Sequence, residues 1–273
     1  MPDRWRTIVA TVLMAPFGAA WATVAAAQTF LPQGPSPHFG PTPIVQSGDA
    51  PPNGTSAGAV QAIITDPTNA NTMYIGAVNG GVWATRTGGA TWTPLSDNQR
   101  SLSIASLATD PTNSNVLVAG TGVTSSSGLG GQKIGLLYSS NGGASWNELS
   151  QGLPGTSIVG VAARGSTILA AASEPLKQST AGGLYRSTNA GASFQAVTFG
   201  SGAGNVAVTS LAADPSNLTN FYAAVSSTNA ANNGVWLSGN SGQSWGAAPV
   251  LSIPSGQTAR LATGPNGSVV AGL

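Results

Sequence analysis

The segment Gly80-Gly-Val-Trp-Ala-Thr-Arg-Thr-Gly-Gly-Ala-Thr-Trp92 ends in an eight-residue box, Thr85–Trp92, that returns three times along the chain. The later copies are Ser139–Trp146, Ser187–Phe194 and Ser238–Trp245. Their closing aromatic residues are separated by 54, 48 and 51 residues. A repeat of about 50 residues is typical of a four-stranded propeller blade. The pattern therefore predicts an all-β protein, a β-propeller of four-stranded antiparallel blades.

A second repeated signal, a tight turn, precedes the boxes. It reads Asp66-Pro-Thr-Asn69, Asp110-Pro-Thr-Asn113 and Asp214-Pro-Ser-Asn217, and the shorter Arg164-Gly-Ser166 takes its place in the third repeat. Proline presets φ and asparagine tolerates left-handed backbone, so each copy is expected to join the first two strands of a blade. Connections alternate between the two rims of a propeller, so these turns and the boxes should share one rim.

The spacing of turns and boxes sets the expected boundaries. Four full blades are predicted at about 59–98, 103–151, 157–198 and 206–250, with half of a fifth at 258–273. In the first blade, strands are expected at Val60–Thr65, Thr72–Val78, Gly81–Arg86 and Trp92–Leu95. The ring is thus predicted to be open or truncated, with closure by an unseen partner as the alternative.

Each box is interpreted as the hairpin between the last two strands of its blade. A hydroxyl or amide can bond local backbone groups, and glycine can take positive φ. The closing aromatic is expected to pack under its own blade, and the third-strand aromatics Trp83, Tyr138, Tyr185 and Trp236 are expected in the core. The residues assigned this structural role are Thr85, Thr87, Gly89, Trp92, Ser139, Asn141, Gly143, Trp146, Ser187, Asn189, Gly191, Phe194, Ser238, Asn240, Gly242 and Trp245.

The N-terminus has the three parts of a secretory signal peptide. Arg4 and Arg6 precede an apolar run, and small residues end in Ala25-Ala-Ala27. Cleavage is expected after Ala27, which predicts a secreted or periplasmic protein with no membrane segment left in the mature chain. The Pro- and Gly-rich stretch 28–58 is expected to be an extended lead-in to the propeller domain 59–273.

Composition excludes several functions. Charged residues make up only 6% of the chain, and its formal net charge is +1. No basic cluster could neutralise several phosphates, so nucleic-acid binding is not expected. Cysteine is absent and His38 is the single histidine, so neither a metal site nor a cofactor is predicted.

Four boxes in this order and spacing resemble the Asp-box (BNR) repeat of sialidase-type β-propellers, Ser-x-Asp-x-Gly-x-Thr-Trp. The segment 80–92 is most similar to the xyloglucanase and photosystem-assembly-factor branches of that superfamily. The resemblance covers about residue 59 to the C-terminus and implies the fold, but its members include both enzymes and non-enzymatic proteins. This chain departs from the pattern in two ways, since the third box position is never Asp and the family's propellers generally have six or more blades.

Chemistry is expected on the rim opposite the boxes, where the other loops converge. Asp97 and Glu174 are the acids assigned to that loop rim, and Arg100 is the one arginine assigned there. A glycoside hydrolase needs two carboxylates flanking the scissile bond, which makes Asp97 and Glu174 the candidate catalytic pair. Arg100 is the candidate binding residue, although the sialidase resemblance implies three such arginines.

Two functions remain open from the sequence. The scarcity of acids on the loop rim favours an exported, non-catalytic scaffold or interaction module over an enzyme. The alternative is a glycoside hydrolase-like protein of xyloglucanase or sialidase type, or a truncated piece of one. The expected partners are an extracellular glycan or another protein.

Overall fold

The computed structural model describes residues 59–123, 130–174, 179–200, 206–264 and 267–272, without the side chains of 174 and 179–181. All of them belong to one unit, Gln33–Leu273. The expected signal peptide 1–27 and lead-in 28–58 lie outside the described residues. Within the described residues, the predicted all-β architecture is confirmed, and a short 3₁₀ turn lies at Ala230–Asn232.

The strands form four four-stranded antiparallel sheets and one two-stranded sheet, each in chain order. Blade 1 contains β1 (Val60–Thr65), β2 (Met73–Ala77), β3 (Gly81–Thr85) and β4 (Thr93–Pro94). Blade 2 contains β5 (Ile104–Asp110), β6 (Asn113–Thr121), β7 (Leu136–Ser139) and β8 (Asn147–Leu149). Blade 3 contains β9 (Ser157–Arg164), β10 (Thr167–Glu174), β11 (Ser179–Ser187) and β12 (Gln195–Val197).

Blade 4 contains β13 (Val206–Ala213), β14 (Phe221–Ser227), β15 (Gly234–Ser238) and β16 (Leu251–Ser252). A hairpin of β17 (Arg260–Thr263) and β18 (Val269–Gly272) supplies the first half of a fifth blade. The outermost strands are only two or three residues long. In blade 4 the last strand lies two residues past the expected end at 250.

The hydrophobic core lies between successive blades. One cluster joins Tyr74 and Val82 of blade 1 to Ile104, Leu117 and Leu137 of blade 2. Equivalent clusters join blades 2 and 3, blades 3 and 4, and blade 4 to the half blade. Each sheet thus buries its faces against its neighbours, at about 1.5–3 kcal/mol for each large aliphatic side chain removed from water.

Aromatic side chains strengthen these inter-blade clusters. Trp83 and Trp236 of the third strands are buried, whereas Tyr138 and Tyr185 are half-buried against the core. The box aromatics pack across to the preceding blade rather than only under their own. Nε1 of Trp146 donates to the carbonyl of Leu95, the residue that follows β4, at 2.8 Å. The expectation of burial under one blade was therefore incomplete, because the sheets stack face to face and the box aromatics of blades 2, 3 and 4 contact clusters shared by two blades.

A β-bulge recurs near the start of each inner strand, a feature that the sequence did not reveal. The extra residues are Gln61, Ala105, Val159 and Thr209. Bulges increase the local twist of a strand. Their repetition gives the same added twist at the loop-rim end of each full blade.

The boxes have one hydrogen-bond pattern. In the second box, Ser139 Oγ accepts from the backbone N–H of Gly143 at 2.9 Å, and Asn141 Oδ1 accepts from that of Ser145 at 2.9 Å. In the first box, the hydroxyls of Thr85 and Thr87 accept the equivalent bonds, each at 2.9 Å. The third position therefore needs a hydrogen-bond acceptor but not a charge, which explains why the fold survives without Asp.

Boxes and Asp-Pro turns share one rim, hereafter the box rim, as the sequence predicted. The N–H of Gly142 in the second box donates to Asn115 O, beside the turn of the same blade, at 2.8 Å. Boxes of successive blades also touch, since Arg86 Nη2 of the first box donates to Gly142 O of the second at 3.3 Å. Arg186, the residue before the third box, donates from Nε to Ser241 O of the fourth box at 2.9 Å.

Candidate functional site

Three connections converge on the opposite rim, hereafter the loop rim. They are the link 96–103 between blades 1 and 2, the segment 130–135 that leads into β7, and the link 150–156 between blades 2 and 3. They line a shallow, largely open cleft with a volume of about 630 Å³. The lining residues are Arg100, Gly131, Gln132, Lys133, Ile134, Gly135, Glu148, Ser150, Leu153, Pro154 and Gly155.

An ion pair crosses this cleft from blade 1 to blade 2. Nη1 of Arg100 lies 2.9 Å from Oε2 of Glu148. The Arg100 side chain is 68% exposed and that of Glu148 only 29%. The guanidinium therefore remains accessible to solvent, while the carboxylate that holds it is partly covered by the wall of the cleft.

Buried hydroxyls hold the wall formed by 130–135. Ser101 Oγ donates to Gln132 O at 2.6 Å. Thr121 Oγ1 accepts from the N–H of Ile134 at 2.9 Å and donates to Gly135 O at 2.8 Å. Ser101 belongs to the link between blades 1 and 2, and Thr121 ends β6. Bonds from both elements therefore fix the position of this wall.

Of the three candidate residues predicted from the sequence, the structure places Arg100 in the cleft but not Asp97. Arg100 lies on the loop rim and lines the cleft. Asp97 is exposed in the same link but does not line the cleft. Glu174 ends β10 and its backbone pairs with Ser179, but its side chain lies outside the described ones. The pairing of Asp97 with Glu174 for catalysis stays a prediction.

Two charged residues of the cleft were missed by sequence reasoning. Glu148 follows a box in sequence, which suggested the box rim, and Lys133 stands in a Gly-rich loop. However, β8 is only three residues long, so the residue at its middle already faces the loop-rim cleft. The available signal was their separation of 48 residues, which is close to one blade repeat and places Arg100 and Glu148 in neighbouring blades.

The groups with perturbed pKa values lie elsewhere. Hydrogen bonds from Ser216, Asn217 and Asn220 lower the pKa of the Asp214 carboxyl on the box rim. Burial lowers the pKa of Arg164, and the charges of Asp110 and Asp214 oppose that effect. Asp110 also accepts a hydrogen bond from the N–H of Gly165 in the next blade. Perturbed pKa values can mark active sites, but these belong to a network that joins neighbouring turns.

A second groove, of about 310 Å³, lies on the box rim between blades 3 and 4. Its charged residue is Arg186, already bonded to Ser241 O. Among the residues that the structure describes, no cluster of three or more His, Cys, Asp or Glu could hold a metal ion. Nor does that part of the chain contain a helix long and apolar enough to cross a membrane.

Comparison with solved structures agrees with the predicted superfamily. The GH74 xyloglucanase from Xanthomonas campestris matches with a TM-score of 0.57 and 22% identity over 78% of this chain and 33% of that one. An ancestral GH74 enzyme matches with a TM-score of 0.52 and 27% identity over 77% of this chain and 24% of that one. YCF48 bound to D1 peptide matches with a TM-score of 0.49 and 17% identity over 78% of this chain and 59% of that one.

This chain therefore spans about a quarter to a third of the length of the GH74 structures that it matches. No protein-family model and no curated protein matches its sequence. The likeness establishes the propeller fold, and it leaves the chemistry to be argued from the cleft.

Proposed function

We propose that this protein is an exported β-propeller binding module that holds its ligand in the loop-rim cleft and does not hydrolyse it. One observation carries the proposal. Among the described residues that line the cleft, Glu148 is the one carboxylate, and it is ion-paired with Arg100 at 2.9 Å.

The chemical requirements of glycoside hydrolysis argue against catalysis in this cleft. Retaining and inverting glycosidases both place two carboxyl groups beside the bond, about 5–9.5 Å apart. The acids of the Asp-Pro turns are bound to their own backbone on the other rim, as in Asp110, whose Oδ1 accepts from the N–H and hydroxyl of Thr112. A single carboxylate held by a guanidinium suits recognition better than acid–base catalysis.

Export belongs to the same proposal and is supported by the N-terminal pattern of Arg4, Arg6 and the small residues that end at Ala27. Expression of residues 1–273 in a bacterial host should yield a protein outside the cytoplasm that begins at Gln28. N-terminal sequencing of the exported protein tests this, and a product that still begins at Met1 would contradict it.

Hydrolysis is tested by incubating the exported protein with xyloglucan and measuring new reducing ends. We expect no release above a buffer blank, and no change in the variants Glu148→Gln and Asp97→Asn. Release by the wild type that disappears in either variant would overturn the proposal.

The alternative, a glycan-acting protein or a piece of one, is favoured by the likeness to the ancestral GH74 enzyme, at 27% identity. Its catalytic carboxylates would be Asp97 and Glu174. The same assay with Glu174→Gln separates the two functions, because only the alternative predicts xyloglucan cleavage that depends on that residue.

A further inference from the structure

The turn between the first two strands of blade 4 contains a tripeptide that the fold alone does not require. It reads Asn217-Leu-Thr219. An asparagine with Ser or Thr two residues later, and no proline between them, is the acceptor sequence for N-linked glycosylation of exported proteins. All three residues are exposed in the folded chain. An enzyme in solution can therefore reach the tripeptide without unfolding the blade.

We propose that Asn217 is an N-glycosylation site, at which Nδ2 accepts an oligosaccharide from a polyprenyl-pyrophosphate donor. The inference rests on the export that belongs to the proposed function. In the transfer, Nδ2 forms a bond to the anomeric carbon of the first sugar and gives one proton to a base of the transferase. The bond between that carbon and the pyrophosphate oxygen breaks, and polyprenyl pyrophosphate leaves with the electron pair.

The turn holds the two reactive groups of the tripeptide side by side. The backbone N–H of Thr219 donates to Asn217 Oδ1 at 3.1 Å, and the Thr219 hydroxyl donates to the same oxygen at 2.8 Å. Because a backbone N–H can only donate, the amide oxygen must face Thr219 and the amide NH₂ group must face away. Amide and hydroxyl are thus already arranged as a pair, which lowers the entropic cost of recognising them together.

Nδ2 of Asn217 can carry a sugar without breaking a contact of the fold. Within the described part of the chain it donates no hydrogen bond, since both bonds of this side chain use Oδ1. A glycosylated asparagine keeps its carbonyl oxygen, so both bonds survive the transfer. In the second box, by contrast, Nδ2 of Asn141 donates to Ser145 Oγ at 2.8 Å, and glycine stands two residues after that asparagine.

Blade 1 contains the same turn without the hydroxyl. Oδ1 of Asn69 accepts from the N–H of Asn71 at 3.0 Å, and the N–H of Thr72 donates to Asn69 O at 2.9 Å. The matching bonds in blade 4 come from Thr219 at 3.1 Å and from Asn220 at 3.0 Å. The asparagine therefore serves the fold in both turns, and the turn of blade 4 adds the hydroxyl that makes it an acceptor sequence.

The site lies on the box rim, away from the loop-rim cleft. The N–H of Ser241, in the fourth box, donates to Thr219 O at 2.9 Å. Leu218, between the two residues of the pair, exposes 39% of its surface. An oligosaccharide on Asn217 would cover this apolar side chain and leave the proposed binding cleft open.

Transfer in vitro tests the proposal. The exported, folded protein is incubated with an oligosaccharyltransferase that recognises Asn-x-Ser/Thr and with its lipid-linked oligosaccharide. We expect the intact mass to increase, and peptide mass spectrometry to place the sugar on Asn217. No sugar on Asn217, or a sugar that is added there only after unfolding in urea, would overturn the proposal.

The same mapping must score two further acceptor sequences separately. They are Asn53-Gly-Thr55 and Asn266-Gly-Ser268, of which Asn53 and Asn266 lie outside the described residues. A sugar confined to Asn53 or Asn266 counts against the proposal, because it would show that the exposed turn of blade 4 is not an acceptor.

Substitutions of Thr219 separate the hydroxyl from the turn. Thr219→Val keeps the backbone N–H and nearly the same shape, but it removes the hydroxyl, so modification of Asn217 should be lost. Thr219→Ser keeps the hydroxyl and should retain the modification. Urea unfolding checks that both variants are as stable as the wild type. Equal modification in Thr219→Val and in the wild type would contradict the role of the hydroxyl.

Asn71→Thr provides the matched gain-of-function variant. It adds the hydroxyl to the equivalent turn of blade 1, and a new sugar is expected on Asn69. Asn71→Val, of nearly the same shape but without the hydroxyl, should leave Asn69 unmodified. An unmodified Asn69 in Asn71→Thr would contradict the conclusion that this turn geometry presents the acceptor.

The failure of this proposal can be told apart from the failure of the proposed function. An exported protein that begins at Gln28, leaves xyloglucan uncleaved and gains no sugar would reject the glycosylation site alone. A product that still begins at Met1, or one that cleaves xyloglucan, would reject the proposed function itself.

Discussion

The two rims of the propeller use polar residues in opposite ways. On the box rim, Ser, Asn and Gly recur every 50 residues or so, and the bonds that the Ser and Asn side chains accept from backbone N–H groups inside each box span four residues along the chain. On the loop rim, the contacts do not recur. Arg100 meets Glu148 across 48 residues, and Ser101 meets Gln132 across 31. Repetition therefore marks the elements that stabilise the fold of this protein, and the irregular rim contains the cleft that is proposed to bind a ligand.

The comparison implies that changes on the box rim alter stability, whereas changes on the loop rim alter binding. The largest expected effect is that of Trp146→Ala. It removes a half-buried indole from the core between blades 1 and 2 together with the 2.8 Å bond to Leu95 O, and it should cost about 3 kcal/mol. Urea unfolding of the exported chain measures this.

Trp92 provides the matched control for that variant. It holds the same box position, but its buried Nε1 has no partner among the described residues. Trp92→Ala should be milder than Trp146→Ala. Equal losses of unfolding free energy in the two variants would show that a further part of the protein or a partner covers the exposed face of blade 1, which includes Val60 and Ile63.

The second effect is that of Ser187→Ala in the third box. Ser187 is 1% exposed and its Oγ accepts from the N–H of Gly191 at 2.9 Å. Its loss leaves that buried donor unpaired, at a cost of about 1–3 kcal/mol. Thr188→Ala, at the exposed neighbouring position, should change the urea midpoint little, and a large shift there would refute the local explanation.

A gain in stability is expected at Ala190. It has φ +55° in the third box, where the first two boxes have Gly88 and Gly142 at +65° and +67°. Left-handed backbone costs a residue with a Cβ about 1–2 kcal/mol, so Ala190→Gly should raise the free energy of unfolding by about 1 kcal/mol. The reciprocal Gly142→Ala should lower it, and an unchanged melting temperature in both would contradict the assignment.

Acid should weaken the box rim through its Asp-Pro turns. The pKa of Asp66 is lowered, since hydrogen bonds from Thr68 and Asn69 outweigh the raising effect of burial, and the pKa of Asp214 is lowered as well. Depressed pKa values stabilise the fold above the unfolded value near 4, and that stability is lost as pH falls through the folded value. In Asp214→Asn, the melting temperature should decrease less steeply with pH below pH 4 than in the wild type. The same slope in both proteins would contradict the role of the Asp214 carboxylate.

The smallest stability effect is expected on the loop rim. Arg100→Ala breaks an exposed ion pair and should change the free energy of unfolding by less than about 1 kcal/mol. Glu148→Gln removes the other partner of the same ion pair and should behave alike in urea. A loss of unfolding free energy as large as that of Trp146→Ala would contradict the conclusion that the loop rim contributes less to stability than the box rim.

Much of the fold was predictable because it depends on local contacts. The strand order, the blade number, the common rim of boxes and turns, and the acceptor role of Thr87 and Asn141 all follow from residues close in sequence. The packing of Trp146 on the preceding blade and the bulges at Gln61 and Thr209 were not predictable, since both depend on how twisted sheets stack.

The cleft was predictable only in part. Arg100 was assigned to the correct rim because links between blades must lie there. Glu148 was missed because its place after a box suggested the box rim. It lies only two residues after the box yet lines the loop-rim cleft, because β8 is only three residues long.

By itself, the sequence determined a chain of hairpins, because each box and turn satisfies its own backbone through bonds to near neighbours. Only the tertiary structure decided which charges meet. Arg100, Lys133 and Glu148 come from three connections or strands of two blades, and stacking of the sheets brings them to one cleft. No local pattern encodes that distance, since it depends on the twist and packing of whole blades.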